Sequence, residues 1–151
     1  MKSEKNDPLP HWIIVGIMLV TLVIYLLICH KFGHELQKPI PETQRVFIRT
    51  IFYAIAIGTF PITNLIRHIQ LRLNQTMPGN KPAKSRYLLT VIVSMALVEG
   101  IGVLGFVMFM LGDDFNTLYI FLGLSALGLY LYRPKEEEYF QIVEALAERT
   151  K

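Results

Sequence analysis

The stretch that decides the fold is YLLTVIVSMALVEGIGVLGFVMFML, residues 87–111. It is 25 residues long and carries a single charge, Glu99, with twelve uncharged residues before it and twelve after. A hydrocarbon core of roughly 30 Å needs about 20 helical residues, and only internally hydrogen-bonded helices or closed barrels persist there. The segment therefore reads as a transmembrane helix with a carboxyl group at its midpoint.

Three more apolar blocks lie outward from it. WIIVGIMLVTLVIYLLIC spans residues 12–29. VFIRTIFYAIAIGTFPITNLI spans residues 46–66 and is diluted by Arg49, Pro61 and Asn64. FNTLYIFLGLSALGLYLY spans residues 115–132; Tyr130 and Tyr132 at its end and Arg133 just after it suit the headgroup layer. The first block is longer than the roughly 7–15 apolar residues of a signal peptide. It is followed by CHKFG rather than a small-residue cleavage site, so it is expected to be retained. Composition agrees: 52% of the 151 residues are hydrophobic and 18% are charged, against about 25% charged in soluble domains. The expected fold is all-α, an integral membrane four-helix transmembrane bundle over residues 1–133 followed by a short cytosolic amphipathic helix over 134–151.

Lysine and arginine mark the cytoplasmic side of a membrane protein. With four crossings, the N-terminus, the middle loop and the C-terminus share one side. That side carries 11 of the 15 basic residues and leaves Lys31, Lys38, Arg45 and Arg49 on the other. Both termini are thus expected in the cytoplasm of a cell whose inner membrane holds the protein. The net charge of +3 becomes a fringe facing anionic lipid, with no call for nucleic acid. The middle loop is expected to extend the second helix as far as Pro78-Gly79. In the C-terminal segment, Tyr139, Ile142, Val143 and Leu146 recur at helical spacing. The opposite face is acidic, so this helix is expected to pack on the chain's own loop or on a partner rather than on lipid.

A charged side chain at mid-membrane costs at least ~3 kcal/mol on insertion scales and is a functional candidate by default. Low dielectric disfavours the charged carboxylate, which makes Glu99 a candidate for taking up and releasing a proton. Depth can be counted along antiparallel helices from the basic residues at their ends. That count places Tyr25 and Tyr53 near the level of Glu99 as candidate hydrogen-bond partners. It also places Ala54 and Gly58 level with Ala96 and Gly100, two small-residue pairs that allow close helix approach.

The run from about residue 51 to 111 resembles the helical hairpin of the c subunit (proteolipid) of F-type ATP synthases. The likeness lies in a polar loop followed by ALVEGIGVLGFVMFML, residues 96–111, with its carboxylate in a small-residue apolar helix. The resemblance implies that Glu99 carries a proton or cation, and that the chain works as an oligomer or as a subunit of a larger membrane complex. In this chain the first helix of the hairpin has Gly58 as its one glycine, the family's Arg-Gln-Pro loop is replaced by NQTMPG, and a helix is added on each side. A competing expectation from the residues alone is a non-catalytic assembly subunit in which Glu99 fixes helix packing.

CHKFGHE, residues 29–35, offers Cys29, His30 and His34, ligand types that suit copper or zinc. Gly33 is expected to end the helix between the two histidines, and interfacial anchoring is the commoner use of such a His30. No nucleophile with a paired base, no phosphate-cradling glycine loop and no pair of carboxylates occurs, so neither enzyme chemistry nor a cofactor is expected. The lone Cys29 excludes an intramolecular disulfide.

Overall fold

A computed structural model of the chain describes residues 9–149, which are helical apart from short connections. Lys2, Lys5 and Lys151, counted above toward orientation, lie outside these residues. The elements are α1 Leu9–Leu36, α2 Glu42–Thr76, α3 Ala83–Met110, α4 Phe115–Leu131 and α5 Glu136–Arg149. Helices α1 to α3 are long and apolar enough to cross a membrane. Helix α4 has 17 residues and meets that length only together with α5, across a bend of 41°.

Each helix begins or ends where the local chemistry requires it. α2 runs well beyond its apolar block because residues 67–76 contain neither glycine nor proline, and it closes with Met77 N–H donating to Leu73 O at 2.7 Å. It continues through Pro61, with Thr59 Oγ1 donating to Ile55 O at 2.7 Å. α1 also runs further than expected. Gly33 does not end it, because a Cβ built there would lie 2.9 Å from the ring of Phe109: this glycine is used for close packing inside the helix. α4 starts at Asp114, whose Oδ1 accepts from Thr117 N–H at 3.1 Å, a side-chain N-cap.

Helix α3 is the centre of the bundle. α4 packs along it, while α1 and α2 pack on its two flanks and share little contact with each other. Three glycines set the closest approaches. A Cβ at Gly102 would strike Leu22 of α1, one at Gly105 would strike Phe121 of α4, and one at Gly128 of α4 would strike Val98 of α3. Ser125 Oγ adds a bond across the same interface, donating to Val98 O at 2.8 Å.

The connections fix an up-and-down order. At one end, the α1–α2 link docks on the end of α3, with Lys38 N–H donating to Met110 O at 2.7 Å and Ile40 N–H to Leu111 O at 3.1 Å. Gly112 turns the chain there with φ +101°, and Pro39 sits where a side chain would go. Arg49 pairs with the buried Asp113 at 3.2 Å. At the other end lie the start of α1, the α2–α3 loop and α5. This helix packs on α2 and α3 of its own chain, burying Tyr139 and Ile142.

Helix α2 is turned inside out. Its buried residues are Ala56, Thr63, Arg67 and Asn74, while Ile51, Ile55, Ile57, Ile62, Leu65, Ile69 and Leu73 are exposed.

Candidate functional site

The inward face of α3 is the line Val91, Met95, Val98, Gly102 and Gly105. Glu99 is one residue from Val98, which at 3.6 residues per turn places it about 100° around the helix, on a flank. It is half-buried there. The same flank carries Phe106, whose ring packs on Tyr25 of α1 with centroids 5.4 Å apart. Tyr25 lies within electrostatic reach of Glu99. Among the described residues, Glu99 has no hydrogen bond and no ion pair.

Tyr53 is elsewhere. It stacks on Phe121 with centroids 4.8 Å apart and planes 3° from parallel. It joins the cluster of Ala56, Ile101, Met108 and Phe121. Depth along the helix was enough to match Tyr53 with Glu99, but α2 packs against the Ile101 flank, about 160° around α3 from Glu99. Of the two candidate tyrosines, Tyr25 alone shares the acid's side.

The small-residue pairs are not where α2 meets α3. Ala54 and Ala96 are exposed, and nothing lies within 4 Å of a Cβ built at Gly58 or Gly100. Close approach belongs instead to Gly102, Gly105 and Gly128.

At the Gly112 end, Cys29, His30, Gly33, His34, Phe109 and Phe115 are among the residues lining a cavity of about 260 Å³. The His30 ring stacks on Phe115 at 4.5 Å, and its Nε2 is 3.0 Å from the Tyr119 hydroxyl. Cys29 is fully buried and His34 is exposed. Among the described residues, no group of three or more His, Cys, Asp or Glu side chains could hold a metal ion.

The most developed polar site was not singled out from the sequence. Arg67, 3% exposed, donates through Nε and Nη2 to the two oxygens of Glu138 at 3.1 and 2.5 Å. It also donates to Tyr132 O at 2.7 Å, Arg133 O at 3.1 Å and the Tyr87 hydroxyl at 3.2 Å. Tyr87 in turn donates to Glu138 Oε1 at 2.7 Å and accepts from Lys135 N–H at 2.8 Å. Burial works to raise the Glu138 carboxyl's pKa, but the Arg67 bonds and charge and the Tyr87 bond outweigh it and hold the group below its ordinary value. A fork-shaped guanidinium matched to a carboxylate is among the strongest geometries available. Here it fastens α5 to the bundle. A second buried cation, Arg86, donates to the carbonyls of Asn74, Met77, Gly79 and Lys81 at 2.8–3.1 Å and thereby folds the α2–α3 loop.

A signal for the Arg67 site was present in the sequence. Thr63, Arg67, Gln70 and Asn74 recur at spacings of four, three and four, interleaved with the apolar Ile62, Leu65, Ile69 and Leu73. Such spacing puts all four on one face.

Comparison of the chain with protein-family models, with curated proteins and with solved structures returns no match.

Proposed function

We propose that this is a small multi-pass protein of the inner cell membrane, with both termini in the cytoplasm, in which Glu99 binds and releases a proton or cation. It acts as an oligomer or as a subunit of a larger membrane complex, in the manner of the proteolipid hairpin it resembles. The observation that carries this reading is the state of Glu99: half-buried at the middle of an apolar helix, within electrostatic reach of Tyr25, and held by no hydrogen bond or ion pair. An acid kept only to lock its own bundle would be expected to hold a partner, as Asp113 and Glu138 do.

The membrane placement draws support from α2. Lipid as solvent favours apolar residues outside and polar ones inside, and α2 has that arrangement. Orientation still follows the charge bias once the buried and ion-paired arginines are set aside. Removing Arg67 and Arg86 from one side and Arg49 from the other leaves nine basic residues against three.

A second reading, an assembly subunit in which Glu99 bonds to a neighbouring protein's helix, is favoured by the open backbone around Ala96 and Gly100. One experiment separates them. Native membranes are treated with a hydrophobic carbodiimide across pH, and modification of Glu99 is read by intact mass against Glu99→Gln. Labelling near neutral pH that declines at higher pH supports proton exchange. Absence of labelling at every pH in the folded protein would sink it in favour of the assembly role. Glu99→Asp should preserve the function of an ion-binding site and Glu99→Gln should abolish it, whereas an assembly contact tolerates Gln.

A further inference from the structure

We propose that the seam between α2 and α3 is an internal water-binding site, with one water bridging Gln70 and Ser94. The register of the seam is set by one bond. Asn74 Nδ2 donates to Thr90 Oγ1 at 2.7 Å, and both residues are buried. Moving four residues back along α2 and four forward along α3 keeps both positions on the same faces and brings Gln70 level with Ser94. Ser94 is 1% exposed, and Gln70 is half-buried with its Oε1 out of solvent. Neither Ser94 Oγ nor Gln70 Oε1 has a hydrogen-bond partner, and the same is true of Thr63 Oγ1, on a residue with 0% exposure two turns further along α2.

Buried oxygens without partners are rare enough that each needs an occupant or a reason. The neighbourhood selects the occupant. Arg67 lies one turn from Gln70 on the same face of α2, so its guanidinium opposes any cation. Its charge is already balanced by Glu138, so no anion is drawn in. A neutral molecule that accepts from a serine hydroxyl and donates to an amide carbonyl completes the site, and water does both. The site is separate from Glu99, which lies on the opposite flank of α3.

The test is millisecond X-ray radiolysis of the full-length protein in native membranes, read by peptide mass spectrometry. Hydroxyl radicals formed from a bound water oxidise the side chains next to it. Leu71, beside Gln70, and Leu97, one turn from Ser94, should be oxidised several-fold faster than Leu65 and Ile69 on the outward face of α2. In Gln70→Leu/Ser94→Ala the excess at Leu71 and Leu97 should disappear. Equal oxidation of the two faces in the unmodified protein would overturn the proposal, and this comparison needs no variant to fold. Thermal unfolding adds an independent reading: each single substitution should lower the midpoint if water joins the pair, whereas a dry seam would be stabilised when both orphan groups are replaced.

Discussion

Two ionisable groups in this bundle are used in opposite ways. Arg67 is sunk between helices and saturated, with five hydrogen bonds to a carboxylate, a phenol and two carbonyls. Glu99 sits on the side of the central helix with a tyrosine nearby and no bond to it. From the linear sequence the ranking would be reversed, because a glutamate at the middle of a long apolar run looks exceptional and an arginine near the end of one looks routine. Position along a helix says how costly a charge is. It does not say whether the cost is met from within the chain.

The comparison is easiest to break at Arg67. Replacing it with Met leaves the mostly buried Glu138 carboxylate with the Tyr87 hydroxyl in place of its counterion, and loss of one member of a buried pair costs about 3–5 kcal/mol. Equilibrium unfolding in mixed detergent should show that loss, together with early proteolysis of α5. A much smaller loss would mean that apolar packing of Tyr139 and Ile142, not the ion pair, holds the helix.

Packing supplies the next test. Gly105→Val and Gly128→Val force a branched side chain into Phe121 and Val98 and should each cost about 1–3 kcal/mol. The same change at Gly58 or Gly100 meets open space and should leave the stability of the isolated protein unaltered. An effect there on function or assembly, without an effect on unfolding, would mark those positions as contacts to another chain.

Acid should act on α5. The Glu138 carboxyl is held below its ordinary value in the folded protein. Its contribution is therefore fully present above the unfolded carboxylate pKa of about 4.3 and is lost as pH falls through the lower folded value. Hydrogen exchange of α5 amides should accelerate in that acidic window. Glu138→Gln should remove the dependence, and persistence of it in that variant would assign it to another acid.

Two smaller effects complete the series. Ser125→Ala removes the bond to Val98 O and should cost about 1 kcal/mol. Glu99→Gln should change unfolding by less than about 0.5 kcal/mol, the usual range for a substitution without internal partners. A loss of about 2 kcal/mol or more, the scale of a broken buried network, would place Glu99 with Arg67 as part of the scaffold.

Much of the fold could be read from local pattern. The apolar blocks located α1 to α4 because the length of such a block is set by neighbouring residues. Pro78-Gly79 stopped α2 where expected, and the stripe of Tyr139, Ile142, Val143 and Leu146 announced α5. The destination of α5 could not be read, since it depends on a pair, Arg67 and Glu138, separated by 71 residues. Depth was legible for Tyr25 and Tyr53 alike, but rotation about the helix axis was not, and rotation is what divides them. Small residues show a similar limit. Spacing at Ala54, Gly58, Ala96 and Gly100 says where a backbone can be approached, while Gly33, Gly102, Gly105 and Gly128 are approached because Phe109, Leu22, Phe121 and Val98 happen to face them.

The distance in sequence between Arg67 and Glu138 also has a meaning in time. During synthesis, α2 leaves the ribosome with an uncompensated guanidinium, and its counterion is made only after α3 and α4 have followed. Each nascent chain thus carries an open charge that α5 closes, so a product cut short before residue 138 would be marked as unfinished by the very group that stabilises the complete one.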